Sequence, residues 1–208
     1  MESQPFGGEG LSGTGPKAGG PHYLQRFFRT RHPARANPPV PQGEATPLAT
    51  VQKAIFDLHW HEPRKLEERE MPGPTGESNR LALWPRGAVL CLGPTVADAT
   101  AQAGAARRVG CPALTVVPGA SGPGCIDGFV DRSDLTRLQG IALVALWSEE
   151  QDLKAARRAL AARTGRIIPL VASENLESYG LLERHTCIDT TAAGGNASLL
   201  TSVEDEPS

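Results

Sequence analysis

Four short apolar runs, separated by stretches that can form helices, constrain the fold of this chain more than any other feature. The runs are AVLCL at 88–92, ALTVV at 113–117, IALVALW at 141–147 and IIPLVA at 167–172. The intervening segments 95–109 and 148–163 have the composition and end signals of helices. Strands that alternate with helices indicate right-handed βαβ units and a mostly parallel sheet. We therefore predict a three-layer α/β fold for residues 79–191, with NRLALW at 79–84 as a further strand.

Local signals refine this prediction. Thr95 is a suitable N-cap for the first helix, and Gly110 and Gly165 are expected to end the two helices. Pro169 lies inside the last apolar run, and proline cannot donate a ladder hydrogen bond, so this strand is expected at a sheet edge or at a bulge. Residues 118–124 (PGASGPG) are predicted to form a loop.

The rest of the chain is less regular. Residues 1–28 are rich in glycine, with a short helix predicted for HYLQRFF at 22–28, and residues 29–47 are predicted to form a proline-stiffened linker. An amphipathic helix is predicted for residues 48–71, broken near Glu62 by Pro63, within a helical connector at 48–76. Residues 201–208 form an acidic tail that we expect to be disordered. Without packing partners, the glycine-rich loop is expected to be disordered too.

Charge and composition exclude several classes of protein. The net charge is -2, which does not suit a nucleic-acid-binding protein. No apolar run is long enough to span a membrane, and the first residues do not resemble a signal peptide. The four cysteines contain no CxxC pair, which is typical of reduced thiols. We expect a cytoplasmic protein with no metal site.

Two glycine-rich segments could suggest a phosphate-binding loop. Residues 8–13 (GEGLSG) match G-x-G-x-x-G, but too few residues precede them to form the strand that such a loop requires. Residues 119–124 (GASGPG) do follow a predicted strand, yet no helical pattern begins after them. Packed or irregular loops are the favoured interpretation of both segments.

Two clusters of polar residues are also candidates. His59, His61 and Glu62 could suggest a metal site, but H-x-H on a helix directs the two imidazoles to different faces. His185, Cys187 and Asp189 would share one face of an extended segment, which invites a nucleophile hypothesis for Cys187. Neighbours on one face of a strand are not aimed at one another as a catalytic triad requires, so a structural cysteine is favoured.

The two ends of the chain carry a more specific signal. QPFGGEGLSGTGPKAGGPHY at 4–23 resembles the C-terminal signature of aldehyde dehydrogenases, above all the glutamate semialdehyde (1-pyrroline-5-carboxylate) dehydrogenases. LERHTCIDTTAAGGNASLL at 182–200 resembles the terminal motif of the proline utilization A family. Residues 79–92 and 142–172 are similar to an extra aldehyde-dehydrogenase-like domain in long members of that family. The order of these segments is that of the C-terminal part of such a member.

The resemblance implies that the catalytic residues and the parts that surround the site lie in different segments of the enzyme. The family oxidises proline with FAD and the resulting semialdehyde with NAD, using a nucleophilic cysteine and a glutamate that would lie upstream of this chain. It implies no catalytic or cofactor-binding residue here, and therefore no cofactor bound by this chain. It assigns Phe6 to an aromatic wall of the aldehyde site, and Gly7, Gly8, Gly10 and Gly13 to a closely packed loop. Residues 189–196 (DTTAAGGN) would form a flap over that site.

Three hypotheses about function follow. In the first, the chain is a C-terminal fragment, translated alone, that completes and covers the semialdehyde dehydrogenase site, with the remainder of the dehydrogenase module or a second subunit as partner. In the second, it is an independent small-ligand-binding or scaffold α/β module without enzymatic activity. In the third, it is itself a dehydrogenase, which would require Cys187 as its nucleophile.

Overall fold

The strands of this protein divide between two sheets. The computed structural model describes residues 4–28, 45–58 and 63–189. The strands in this part of the chain are β1 (Glu67–Met71), β2 (Glu77–Pro85), β3 (Ala88–Cys91), β4 (Ala113–Val116), β5 (Cys125–Ile126), β6 (Ile141–Ala145), β7 (Leu170–Val171) and β8 (Leu181–Asp189). Five of them form a parallel sheet in the order β5-β4-β3-β6-β7, and the other three form an antiparallel sheet in the order β1-β2-β8.

Helices cover both faces of the parallel sheet. The α-helices are α1 (Leu48–Asp57), α2 (Val96–Arg108), α3 (Glu150–Ala161) and α4 (Leu176–Gly180), and short 3₁₀ helices span Leu24–Phe27 and Arg132–Thr136. One face of the sheet packs against α1 and α3, and the opposite face packs against α2 and α4. Within the described residues no helix has the length and hydropathy needed to cross a bilayer.

The continuous apolar runs are explained by this double burial. Leu90 of β3 belongs to the core on the α1 and α3 side, whereas its neighbours Val89 and Cys91 belong to the core on the α2 and α4 side. Successive side chains of a strand point to opposite faces, so a strand between two helical layers must be apolar at every position. The predicted three-layer α/β fold with a parallel sheet is confirmed.

Two local predictions are also confirmed. Thr95 caps α2: its hydroxyl accepts a hydrogen bond from the Asp98 amide at 3.2 Å, and the Asp98 carboxylate accepts one from the Thr95 amide at 3.2 Å. Pro169 immediately precedes β7, which is the edge strand of the parallel sheet. A proline at this position leaves the ladder intact because β7 has a neighbour on one side only.

The helix predicted for residues 48–71 is confirmed over Leu48–Asp57 and is wrong over Glu67–Met71, and its predicted break near Glu62 lies outside the described residues. The helix ends at Asp57, and Glu67–Met71 is the edge strand β1, which pairs antiparallel with β2 from Glu67 opposite Leu83 to Met71 opposite Asn79. Four of its five side chains are exposed. Backbone pairing with a buried neighbour therefore outweighs the helical preference of EEREM, and the charged side chains suit a solvent-facing edge.

The strand predicted at 79–84 exists, but in the antiparallel sheet. β2 pairs with β8 along its whole length, from Glu77 opposite Asp189 to Pro85 opposite Leu181. Strand pairing thus joins the predicted segments 48–76, 79–181 and 182–200, whose limits as domains stay predictions. The two-residue strand β5 lies in a stretch with no predicted strand.

The glycine-rich N-terminal segment packs on the chain's own surface, contrary to the expectation that it would lack partners. The Ile167 amide donates to the Gly10 carbonyl at 2.7 Å, and the Lys17 amide donates to the Glu183 carboxylate at 2.6 Å. The Arg26 guanidinium lies 3.3 Å from the centre of the Tyr179 ring. The partners of this segment come from α4, β8 and the loop before β7, which the sequence pattern did not connect with it.

A buried arginine joins these parts. The Arg86 side chain is 2% exposed, and its Nε donates to the Tyr179 carbonyl at 2.6 Å. Its Nη2 donates to the carbonyls of Thr14 and Leu181 at 2.7 and 2.9 Å. The Glu9 carboxylate lies 3.5 Å from the same nitrogen. A buried guanidinium requires such acceptors and a counter-charge, so Arg86 fixes the N-terminal segment and the start of β8 relative to the parallel sheet.

We expect Leu143→Ala to lower the free energy of unfolding by about 2–5 kcal/mol, because Leu143 is fully buried in the central part of the parallel sheet. Urea denaturation of the full chain measures the change. Ile167→Ala is the matched control, since its side chain is 45% exposed; its effect should stay within about 0.5 kcal/mol. Equal losses for the two variants would contradict this description of the core.

We expect Arg86→Met to lower the free energy of unfolding by about 3–5 kcal/mol, because it leaves three carbonyls and the Glu9 carboxylate without their cation. Trypsin should then cleave after Lys17 more readily than in the unmodified chain. Arg137→Met is the control, since that side chain is 65% exposed and bonds only its neighbour Asp134 among the described residues. Unchanged cleavage after Lys17 would show that Arg86 does not hold the segment.

Candidate functional site

An open depression surrounds Phe6, the residue that the family resemblance assigns to the aldehyde site. The depression has a volume of about 660 Å³. Its lining residues are Pro5, Phe6, Gly7, Gly8, Ser12, Lys17 and His185. Phe6 leaves 82% of its surface exposed, whereas the preceding Pro5 is buried. The aromatic ring therefore stands at the rim of a depression that is open on one side.

Backbone pairing fixes the position of Phe6. The Phe6 amide donates to the Ala18 carbonyl at 2.9 Å, and the Ala18 amide donates to the Phe6 carbonyl at 2.6 Å. The Lys17 ammonium donates to the Gly7 carbonyl at 2.7 Å. A second antiparallel bridge pairs Glu9 with Thr14. The segment is thus a hairpin that presents Phe6 from an ordered backbone.

Close approach explains the glycines of this hairpin. A Cβ atom at position 8 would lie 1.9 Å from the Ser12 hydroxyl, and one at position 13 would lie 2.8 Å from the Gly8 carbonyl oxygen. Gly10 has a φ of 85°, a conformation that favours glycine. No helix begins within or directly after residues 8–13. The G-x-G-x-x-G match therefore belongs to a tight hairpin, which lacks the strand-to-helix geometry of a dinucleotide loop.

The side chains of Lys17 and His185 both line the depression, and they differ in charge. Desolvation and the nearby Lys17 ammonium lower the pKa of His185, so the imidazole is neutral at pH 7 beside a cationic lysine. The His185 Nε2 atom is buried and has no hydrogen-bond partner among the described residues. The depression thus combines an aromatic surface, a positive charge and a neutral imidazole, a set that can position a substrate, and its described lining includes no cysteine.

The three residues of the Cys187 hypothesis do share a strand face, yet they do not form a catalytic set. In β8 the side chains of His185, Cys187 and Asp189 alternate onto one side, as expected. Cys187 is exposed, and its sulfur accepts a hydrogen bond from the Gln4 side-chain amide at 3.8 Å. Partial desolvation, the Glu77 charge and the bond to Glu77 raise the pKa of the Cys187 thiol, with the Asp189 charge adding to the rise. A thiol so placed is a poorer nucleophile than an ordinary cysteine at neutral pH.

The buried cysteines are even less suited to ionise. Burial raises the pKa of Cys91 to about 12, and burial also raises the pKa of Cys111. The Cys111 thiol lies 3.3 Å from the Gly180 carbonyl, to which it donates. Both thiols act as small core side chains that contribute packing.

The N-terminus of α2 follows the first strand of the parallel sheet, where a dinucleotide-binding fold holds its pyrophosphate. Here the side-chain amide of the buried Gln102 bonds the turn before the helix. Its nitrogen donates to the Gly93 carbonyl at 2.9 Å, and its oxygen accepts from the Gly93 backbone amide at 3.1 Å. The Asp98 carboxylate of the capping box places a negative charge at the same helix end. Both features oppose the approach of a pyrophosphate.

The first backbone donor of the loop at 119–124 is also bonded to a side chain of the chain itself. The Gly119 amide donates to the Asp127 carboxylate at 2.7 Å, and the next element is the short strand β5. A loop that donates to an internal carboxylate and leads into a strand is an irregular connection, as the sequence interpretation favoured.

Some predicted features lie outside the described residues. These are the His59, His61 and Glu62 cluster, the linker from 29 to 44, the flap beyond Asp189 and the acidic tail. Across residues 4–28, 45–58 and 63–189, no group of three or more His, Cys, Asp or Glu side chains could hold a metal ion.

Sequence reasoning missed Lys17 and Arg86. Lys17 follows the cis peptide bond Gly15–Pro16 by one residue, and its ammonium reaches back across the hairpin to Gly7. Arg86 stands in Pro-Arg-Gly, which reads as an exposed turn. The position of a charged residue between two buried strands is a signal for an inward side chain, but the acceptors of Arg86 are remote in sequence.

The chain resembles curated proteins along nearly all of its length. It is 34% identical to the bifunctional protein PutA of Salmonella typhimurium over an alignment that covers 95% of this chain and 18% of that protein. The PutA protein of Escherichia coli matches with the same identity and the same coverage, and that of Rhizobium meliloti is 31% identical. The chain therefore spans less than a fifth of the length of the relatives it matches. No protein-family model matches it.

Among solved structures, γ-glutamyl phosphate reductase from Saccharomyces cerevisiae matches 59% of this chain and 36% of its own, with 15% identity and a TM-score of 0.33. That likeness is too weak to decide the fold, which rests on the strand order described above. The sequence identity to PutA proteins agrees with the resemblance found in the N-terminal and C-terminal segments. The chain is thus, by sequence, the counterpart of one segment of the much longer bifunctional PutA proteins.

Proposed function

We propose that this chain completes and covers the NAD-dependent glutamate semialdehyde dehydrogenase site of a PutA-type protein, without catalysing the reaction by itself. The observation that carries the proposal is Phe6, an aromatic side chain held on an ordered hairpin and 82% exposed at the rim of an open depression. An aromatic wall with no opposite wall fits a site whose remaining residues belong to another part of the enzyme.

The outer surface of the N-terminal segment supports a docking role. Five of its large apolar side chains are at least two-thirds exposed: Phe6, Leu11, Leu24, Phe27 and Phe28. Exposed apolar side chains concentrated in one short segment indicate a surface that another protein part covers. We propose that the remainder of the dehydrogenase module, or a second subunit that carries it, is that partner.

The chemistry would then come from the partner. The family resemblance implies a cysteine that attacks the aldehyde, a hydride transfer from the thiohemiacetal to NAD, and water that hydrolyses the thioester. In this chain the raised pKa values of the Cys91 and Cys187 thiols argue against a nucleophile. The capping box at the N-terminus of α2 argues against a dinucleotide site. NAD, and FAD for the proline-oxidising step, would therefore be bound elsewhere in the complete enzyme.

Within this arrangement the chain positions the substrate. Phe6 would pack against the aliphatic part of the semialdehyde, and Lys17 would hold the Gly7 carbonyl and supply a positive charge beside the depression. β8 would lead from the Glu183 contact towards the predicted flap at 189–196, which covers the site in this proposal.

A complementation assay tests the proposal. A PutA protein that lacks the region matched by this chain is mixed with the purified full chain, and NADH production from glutamate semialdehyde is followed. We expect activity to rise with chain concentration and to saturate, because a docked hairpin restores the aromatic wall. No increase over a wide concentration range would contradict the proposal.

Phe6→Ala should lower the restored kcat/KM by about tenfold or more, since it removes an apolar contact worth about 1.5–3 kcal/mol. Val96→Ala is the control: Val96 is 41% exposed at the start of α2, outside the hairpin, and its loss should leave the restored rate unchanged. Equal rates for the Phe6→Ala chain and the unmodified chain would remove Phe6 from the site.

Cys187→Ala should retain the restored activity in full, because the chain does not supply the nucleophile. In the isolated chain, iodoacetamide should also alkylate Cys187 more slowly at pH 8 than it alkylates a cysteine in a short peptide. The raised pKa keeps the thiol protonated at a pH where an ordinary cysteine begins to ionise. Loss of activity in the Cys187→Ala chain would instead support the third hypothesis, in which this chain is the enzyme.

A further inference from the structure

A second concavity lies at the opposite edge of the parallel sheet from the N-terminus of α2, where β3 and β6 begin. Its volume is about 370 Å³. Ile55 and Phe56 of α1 form one wall, and Pro112 and Ile141 form another. These walls are apolar, and the volume is within the range of sites that bind small molecules.

One end of this cavity is polar. Arg86 lines it, and the residue leaves 5% of its surface exposed. Its Nε and Nη2 atoms donate to the three carbonyls of Tyr179, Thr14 and Leu181. Its Nη1 atom has no acceptor among the described residues, although a guanidinium carries two N–H groups on that nitrogen. The Nη1 side of a largely buried guanidinium therefore has hydrogen-bonding capacity that no described protein group uses.

The charged residues that line the cavity are both cations. Arg86 and Arg166 belong to its lining, and the described lining residues include no carboxylate. The carboxylate that acts on Arg86 is that of Glu9, which is opposed there by the charges of Arg166 and Arg26. The Glu9 carboxylate is on the Nη2 side of Arg86, so it does not use the Nη1 atom.

We propose that this cavity binds a small carboxylate with an apolar body. The carboxylate would accept hydrogen bonds from Arg86 Nη1 and from Arg166, and the apolar body would lie against Ile55, Phe56 and Ile141. A guanidinium pairs with a carboxylate through charge-assisted bonds of defined geometry. The ligand's charge would offset the excess of cations, and its body would cover apolar walls now open to solvent.

Two other ligand classes fit less well. A phosphate would present a strongly hydrated group to walls that are largely apolar, and only one end of the cavity offers donors. A neutral apolar ligand would leave the Arg86 Nη1 hydrogens without an acceptor. The inference does not depend on the dehydrogenase proposal, because it concerns the amino edge of the sheet and uses neither Phe6 nor the Phe6 depression.

Titration of the full chain with a matched pair of probes tests the ligand class. Phenylacetate carries the carboxylate and the apolar ring, and phenylacetamide has nearly the same shape without the charge. We expect calorimetry to show at least tenfold tighter binding of phenylacetate, because a charge-assisted pair with arginine is lost in the amide. Amide resonances of Gly87, Ala88 and Ile141 should shift during the titration, which locates the ligand at the cavity.

Variants test the residues. Arg166→Gln should weaken phenylacetate binding by about tenfold and leave phenylacetamide unaffected. Arg137→Gln changes an exposed arginine that is not among the cavity-lining residues and should alter neither affinity. Ala142→Leu should fill part of the cavity and weaken both probes; if that variant does not fold, Arg166→Gln decides the test because its side chain is not part of the core.

Three results would overturn the inference. Equal affinity for the acid and the amide would reject the carboxylate, and an unchanged affinity in the Arg166→Gln chain would reject the proposed cationic end. Absence of phenylacetate binding at millimolar concentration would reject the site itself.

Discussion

The arrangement of this protein depends on a single buried guanidinium. Arg86 stands between β2 and β3, and its hydrogen bonds reach the N-terminal hairpin at Thr14 and the junction of α4 with β8 at Tyr179 and Leu181. Taking such a charge out of water is costly unless acceptors and a carboxylate surround it. The hairpin supplies Thr14 and Glu9 to that environment, so the position of the Phe6 depression follows from the burial of Arg86. The same side chain closes one end of the cavity at the amino edge of the sheet.

The two sheets have different physical characters. The parallel sheet is buried on both faces, whereas the antiparallel sheet is edged by the charged strand β1 and extends through β8 to the limit of the described residues. The hairpin rests on the face of β8 that carries Glu183 and His185, and it exposes large apolar side chains outward. A buried core thus carries an apolar surface that the rest of the described chain leaves uncovered. This division fits the proposal that the chain is the counterpart of one segment of a larger enzyme.

The same features explain why we assign the chemistry to a partner. The catalytic step implied by the family needs a readily ionised thiol, but burial holds the pKa of Cys91 at about 12, and the surroundings of Cys187 also favour its protonated form. A dinucleotide site needs free donors at a helix N-terminus, but at α2 they meet the side chains of Thr95 and Asp98. The Phe6 ring and the Lys17 ammonium at the depression suit the proposed role of orienting a substrate.

The sequence by itself determined the parallel sheet, because strands buried on both faces must be apolar at every position and helix ends need local caps such as Thr95. It also indicated the edge position of β7 through Pro169, and its two end segments showed the resemblance to PutA proteins. Only the tertiary structure decided that Glu67–Met71 is a strand, since pairing with β2 and not side-chain burial stabilises it. Only the tertiary structure buried Arg86, because the carbonyls that it bonds lie 72 to 95 residues away along the chain. Local patterns record burial and capping, but they carry no information about which distant backbone groups will meet a charged side chain.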